Sequence, residues 1–482
     1  MVLFINKLTE TLVLARWLLI LLFISGYLLT ASRFENIATE YALLNVIALM
    51  SCVLLLSQLK TYKSGYIAVW FSLGIILSVY FLRFYWIVID PTPIKEMLHT
   101  PAYNAILEDV ALIGGFKLLV LFFTTFCVST AAILHYTKDA EKIIKRSNTE
   151  YSKKSYYFIS QILLIALLPV MLVLGYVAYS YHIGEMGADT GGALPFRLKG
   201  VIFYARFILV PLLVLLLIYT AEHSGRNILA RYGVLLLLLH GVMDIFIRNS
   251  RSGLLLCILL IVFLLIVGGV KLRHNEKTLG GITIILAFVM VPIITEYRYH
   301  RTINDFSVVT ALTNSIAAVG NEGVGLLARG FSFVFFRIPG IEAITAMVGL
   351  GAEPLGLKSI DILKTGQGLP GYLTHVIYQI PTEWITLAAP SYIGWFYLAW
   401  GIGGLVVAGI FISILTVVIW NYISDRYLLS SPIAKIFFLW MLFVALTEGT
   451  IDLMSYMFVV GVICIASIET GMILVEKYYR HI

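Results

Sequence analysis

An all-helical bundle that crosses a membrane about a dozen times is the fold this sequence predicts, and three observations predict it. Sixty per cent of the 482 residues are apolar and only 13% are charged, with a mean hydropathy of +0.94; a soluble domain carries about 25% charged residues. The apolar residues fall in runs of roughly 20, the length that crosses a hydrocarbon core as helix, and amphipathic stripes are largely missing. Lysine and arginine gather in alternate connections, as the positive-inside rule requires of a chain that weaves through a bilayer.

The apolar runs place spans at 12–30, 41–58, 66–88, 110–134, 156–178, 200–220, 229–247, 252–270, 280–295, 392–420, 432–447 and 454–474. Helices are expected for all of them, because backbone polar groups in lipid must be satisfied within the segment. The first run is too long for a cleaved signal peptide and has no small-residue cleavage site, so it reads as a retained span. The connection from His135 to Lys154 carries Lys138, Lys142, Lys145, Arg146, Lys153 and Lys154, a cytoplasmic signature. Counting outward from it puts Lys60, Lys63, Arg226, Lys271, Arg273, Lys277, Arg426, Lys477 and Arg480 on the same side, with both termini cytoplasmic. Trp17, Trp70, Trp86, Trp395 and Trp400 fall near span ends, where interfacial tryptophans anchor helices.

The stretch 296–391 breaks the pattern. It faces outward within a single integral membrane domain, 1–482, yet holds apolar pieces too short to span, such as Ser307–Ala318 and Phe331–Phe336. Gly320, Gly323, Gly325, Gly349, Gly351, Gly366 and Gly368 interrupt them. Half-buried helices roofing a cavity fit this composition, since irregular backbone at membrane depth is tolerated only against protein or water.

Cys52, Cys127, Cys257 and Cys464 each sit inside an apolar run without paired spacing, as small hydrophobic packing residues do. There is no zinc spacing, phosphate-binding loop, nucleophile elbow, dinucleotide fingerprint or internal repeat. No metal, cofactor or nucleic acid is therefore expected.

Charges supply the candidate site. An ionisable residue in or beside a span is costly, which makes it a functional candidate. On this topology arginines collect on the outward side, where short loops normally lack positive charge: Arg83, Arg206, Arg248, Arg251, Arg298, Arg301, Arg329 and Arg337. His240, Asp244 and Arg248 are four apart and share a helix stripe, so Asp244 is placed to orient Arg248. Guanidinium groups bind phosphate bidentately and stay charged, so a pyrophosphate-linked lipid fits, its head group at this depth and its tail in the bilayer. Arg248, Arg251, Arg298, Arg301, Arg329 and Arg337 are the candidate pyrophosphate ligands. Arginines would stabilise a leaving pyrophosphate where other enzymes use magnesium. A glycosyl transfer also needs a base for the acceptor hydroxyl. His375 and Glu383 are the candidates, with Glu296, His300 and Glu322 as other outward possibilities. Glu448 and Asp452 read as turn caps or as partners of an arginine.

Two segments resemble the Wzy-type polysaccharide repeat-unit polymerases of bacterial envelopes. Arg248-Asn-Ser-Arg-Ser-Gly-Leu-Leu-Leu256 is similar to the outer-face segment that opens a central span in that family, with Arg251 at its arginine. Leu387-Ala-Ala-Pro-Ser-Tyr-Ile-Gly-Trp395, running on to Gly401-Ile-Gly-Gly404, resembles the Pro-Ser/Thr-x-x-Gly segment after the family's large periplasmic loop. The spacing of Arg329 and Gly340 resembles a loop pattern of some members. The likeness covers roughly 240–420.

The resemblance implies a GT-C-like polymerase or ligase architecture in the bacterial inner membrane. The activity implied is metal-independent. It transfers a growing glycan from one undecaprenyl-pyrophosphate carrier to the non-reducing end of another carrier's repeat, with a chain-length regulator and a flippase as possible partners. No residue in the family's loop corresponds to His375. An O-antigen ligase, which passes lipid-linked glycan to a lipid or protein acceptor, is the alternative within the class. A lipid-linked oligosaccharide flippase is the alternative outside it, for which His240, Asp244 and Lys117 speak.

Overall fold

A computed structural model describes residues 17–59, 67–95, 100–137, 153–184, 198–248, 252–268, 284–285, 288–297, 300, 307–320, 325–337, 340–363, 368–380, 391–425, 431–447 and 451–480. Among these residues the regular structure is helical throughout and no strand occurs. Among the described residues, eight helices are long and apolar enough to cross a membrane: Trp17–Leu59, Ile67–Ile89, Asp109–Thr137, Lys153–Ser180, Leu198–His223, Asn227–Arg248, Ser391–Ile423 and Ser455–Tyr478. The chain is a polytopic, all-helical membrane protein. The first helical stretch holds two of the expected spans, divided by a 3-10 turn at Ala31–Ile37 where Phe34 leaves helical geometry. Three expected spans appear as shorter apolar helices, Gly253–Val267, Phe288–Tyr297 and Ser431–Thr447.

The chain divides into two compact units. One comprises Met1–Lys145, Phe336–Asp425 and Met441–Ser455; the other comprises Arg146–Phe335, Arg426–Trp440 and Tyr456–Ile482. The stretch 296–391 is thus shared between them, parting after Phe335.

In the first unit, Asp109–Thr137 is the central helix, against which Ala38–Leu59, Ser391–Ile414 and the short Ile341–Gly349 all pack. Its Phe116 and Phe123 meet Phe81 and Phe84 of the Ile67–Ile89 helix, with Phe84 and Phe116 stacked at 4.3 Å and Phe81 edge-on to Phe123 at 4.9 Å. Where helices must approach more closely, small or hydroxylated residues stand, as membrane packing favours. Thr130 donates to Ser413 at 2.9 Å, and Ser413 in turn donates to the Phe126 carbonyl at 3.0 Å. Gly115 lies against Thr345, and any side chain there would overlap it.

The Ile341–Gly349 helix is buried along nearly its whole length, from Ile341 to Met347, as expected for a loop helix resting in the bundle. The Ser391–Ile423 helix is broken at Trp400 and Gly401. The break releases the carbonyls of Leu398 and Ala399, which accept the amides of Leu355 and Gly356 at 2.9 and 2.8 Å. Gly401 has φ +60 and ψ −142, a conformation reserved for glycine, and its Cα faces Pro354. Gly401→Ala is expected to cost about 1–3 kcal/mol; a detergent-unfolding midpoint equal to wild type would refute this. Trp395, near the start of this helix as expected, is buried at 1% exposure between Phe396 and Trp400, whereas Trp17 and Trp86 are exposed.

In the second unit, Leu198–His223 packs against Lys153–Ser180 and Asn227–Arg248, and Ser252–Val267 lies along Asn227–Arg248. Close approaches again fall on glycines, with Gly233 against Ile218 and Gly241 against Leu254. The Lys153–Ser180 helix leaves Ile165, Val173 and Tyr176 exposed, an apolar face of the kind that meets lipid. All four cysteines are buried and free, as packing residues.

Candidate functional site

Each unit buries an arginine beside a π turn. Such one-residue expansions of a helix shift side chains off their regular stripe and recur at functional positions. In the second unit the π turn Ala205–Leu209 contains Arg206, at 4% exposure. In the first, the π turn Ile76–Leu82 ends directly before Arg83, at 0%. A third π turn, Tyr372–Ile377, carries His375.

Arg206 faces the end of the Asn227–Arg248 helix. The stripe predicted there is buried on one face: His240, Asp244 and Arg248 all lie inside. Asp244 divides its carboxylate between two guanidiniums. Its Oδ1 takes Arg206 Nη2 at 2.8 Å and its Oδ2 takes Arg248 Nη1 at 3.1 Å. Arg248 Nε also donates to the Gly184 carbonyl at 3.4 Å, and its guanidinium stands 5.3 and 5.0 Å from the ring centres of Phe203 and Phe207. Gly184 has φ +75, which turns that carbonyl toward the arginine. Gly253, the small residue of the segment after Arg248, lies so close to Asp244 that any side chain would overlap the carboxylate.

Ala178, Ile183, Phe203, Arg206, Phe207, Asp244 and Arg248 line a small cleft of about 10 Å³, the space of roughly one water. Among the described residues its charged lining is two guanidiniums against one carboxylate, and each guanidinium has five donors. The described lining therefore holds surplus donors and net positive charge, with aromatic walls.

The first unit's pair is closed. Arg83 Nε contacts Glu342 Oε2 at 3.2 Å, with side-chain exposures of 0% and 3%. Glu342 Oε1 accepts the Gly340 amide at 2.9 Å, and Tyr80 donates to the Leu446 carbonyl at 2.6 Å. Gly340 sits against the Val79 carbonyl with no room for a side chain. Burial pushes the Glu342 carboxyl above the ordinary carboxylate range, while Arg83 and the Gly340 amide pull it back. This cluster is a charge-neutral joint between Ile341–Gly349 and the spanning helices, not a ligand cavity.

His375 is half-buried, with Nδ1 at 2.9 Å from the Ile380 carbonyl. Gln379, at φ +54, turns the chain so that this carbonyl reaches the ring. A carbonyl can only accept, so Nδ1 carries the proton in the neutral ring and Nε2 keeps its lone pair, the form a general base needs. Arg337 ends the Gly325–Arg337 helix and belongs with His375 to the first unit, whereas Arg248 and Arg329 belong to the second. Arg329 is engaged by Glu296 at 3.0 Å, which commits that carboxylate, and neither lines the cleft. Lys117 pairs with Glu40 at 2.7 Å. Arg251, Arg298, Arg301, Glu322 and Glu383 lie outside the described residues.

Sequence reading identified the Asp244–Arg248 pair but left Arg206 out of the ligand set. The signal that would have included it is an arginine in an apolar run whose only acidic neighbours are a helix away. Comparison of the chain with family models, with curated proteins and with solved structures finds no match.

Proposed function

We propose that this protein is a membrane glycosyltransferase that polymerises undecaprenyl-pyrophosphate-linked oligosaccharide repeats at the outer face of a bacterial inner membrane. The observation that carries the reading is the cleft in which Asp244 holds Arg206 and Arg248 together with a net positive charge. It stands at the end of a spanning helix that the distribution of lysine and arginine assigns to the outward side. A pyrophosphate head group with its lipid tail in the bilayer is the ligand whose charge and location match. Arg251 follows three residues later, in the segment that resembles the polymerase family, and adds a further cation. In the transfer, the acceptor hydroxyl attacks the donor sugar, the carrier–sugar C–O bond breaks and its electron pair leaves with the pyrophosphate. The arginines stabilise the charge that develops there, and a base takes the hydroxyl proton, the role for which His375 and Glu383 are the candidates.

A flippase for the same lipid-linked glycan is the second reading. What favours it is that Arg83, Arg206, His240 and Asp244 are buried within spanning helices, where transport pathways place their charges.

Deleting the gene and profiling surface and lipid-linked glycans separates the readings. Polymerase predicts surface glycan limited to one repeat, with single lipid-linked repeats facing outward. Long glycan retained on the carrier identifies a ligase, and repeats trapped on the cytoplasmic leaflet identify a flippase. Arg251→Ala and Arg337→Ala are each expected to abolish chain growth at normal membrane abundance; full-length glycan from well-expressed variants would remove these residues from the site.

A further inference from the structure

The second unit buries more positive charge than its described residues neutralise. Arg206 and Arg248 share the one carboxylate of Asp244, so the described lining of the cleft carries one net positive charge among spanning helices. Arg206 touches Asp244 through Nη2 alone, and its Nε and Nη1 have no hydrogen-bond partner among the described residues. Arg248 directs Nη1 to Asp244 and Nε to the Gly184 carbonyl, which leaves Nη2 in the same position. Buried donors left unpaired cost stability, and an uncompensated charge within a helix bundle in lipid costs more. A water completes hydrogen bonds but leaves the charge in place. A small anion does both.

We infer that the recess between Arg206 and Arg248 is a binding site for one small monovalent anion of the chloride class. Size sets the class. The space is about 10 Å³, at the lower bound for a single water. It admits a monatomic ion, while a tetrahedral phosphate or sulfate stays outside. Chloride exceeds water slightly, and the cleft is partly open. The walls suit a weakly hydrated ion, because Ala178, Ile183, Phe203 and Phe207 bring no side-chain acceptor that would compete with it. Asp244 does not bar the site. Its carboxylate is held by its own contacts, with Gly253 against it, and each guanidinium keeps donors that Asp244 does not use. With the ion bound, the charges in the described lining balance. The neutral cluster then ties Leu198–His223, which carries Arg206, to Asn227–Arg248, which carries Asp244 and Arg248. This goes beyond the proposed glycosyl transfer and does not rest on it.

The test is uptake of radiolabelled chloride by the full-length protein in detergent, read by equilibrium dialysis at fixed ionic strength with gluconate as the replacing anion. Wild type is expected to bind one ion per chain at saturation. Unlabelled bromide should displace it, and sulfate and phosphate should not. Arg206→Gln leaves a neutral Asp244–Arg248 pair and is expected to weaken chloride binding by roughly tenfold or more, the scale of a hydrogen bond to a charged group. Thermal unfolding followed by tryptophan fluorescence gives a second reading: chloride and bromide should raise the wild-type midpoint above its value in gluconate, and the variant should show no such difference. Absence of saturable uptake by wild type overturns the inference and leaves the recess to a water. Displacement by sulfate as strong as by bromide overturns the assigned class. Undiminished uptake by Arg206→Gln at wild-type helicity and elution volume overturns the location. The wild-type displacement series decides the matter even where Arg206→Gln fails to fold. None of these measurements reads chain growth, so failure here leaves the glycosyl-transfer reading untouched, and failure of that reading leaves the anion site standing.

Discussion

Glu342→Ala is expected to lower stability by about 3–5 kcal/mol, the range for removing one partner of a buried ion pair. Arg83 has 0% exposure and lies in the Ile67–Ile89 spanning helix, so the variant leaves its guanidinium in a buried site without this carboxylate. The Gly340 amide loses its acceptor at the same time. The effect reaches beyond the pair, because Glu342 is in the first turn of Ile341–Gly349, the loop helix buried against Asp109–Thr137. Exchanging both partners together, Arg83→Met with Glu342→Leu, should recover more than half of the loss, since a buried pair is often no better than an apolar replacement of similar volume. Titration with sodium dodecyl sulfate, followed by tryptophan fluorescence, reads both variants. A Glu342→Ala midpoint within about 1 kcal/mol of wild type would show that the pair contributes little.

On the proposed reaction, His375→Gln should slow chain growth by roughly 10²- to 10⁴-fold, the usual contribution of a general base. Glutamine removes the imidazole base while keeping a polar side chain there, and wild-type helicity and elution volume show that the loss isolates proton transfer. Initial rates with lipid-linked repeats in proteoliposomes measure it. A His375→Gln rate within threefold of wild type, estimated as about 0.7 kcal/mol of barrier, would exclude His375 as the base.

The helical architecture was legible from apolar run length because bilayer thickness sets that length directly. The Asp244–Arg248 contact was equally legible, since four-residue spacing fixes neighbours on one helix. Arg206 and Glu342 were not. Arg206 meets Asp244 from another helix, with its register shifted by a π turn, and periodicity on a single helix carries no information about either. The Arg83–Glu342 pair joins residues 259 positions apart. The break at Gly401 was not legible either, because nothing in a glycine-rich apolar run marks which glycine adopts positive φ. The three short apolar helices show the limit of length as a criterion, since hydropathy alone does not separate a span from a buried piece.

Many of the close joints are made by main chain against main chain. The amides of Leu355 and Gly356 meet the carbonyls of Leu398 and Ala399. Gly330, Gly340 and Gly349 rest on the carbonyls of Phe288, Val79 and Ala105. Such contacts ask of the sequence only that a few glycines stay in place; the residues between them are free to drift among apolar types of similar size. A lineage built this way conserves its joints as sparse, widely spaced single letters, and it can diverge until sequence comparison loses it while the geometry persists. Relatives of such a chain are better sought by the spacing of Gly253 after Asp244 and of Gly340 before Glu342 than by overall identity.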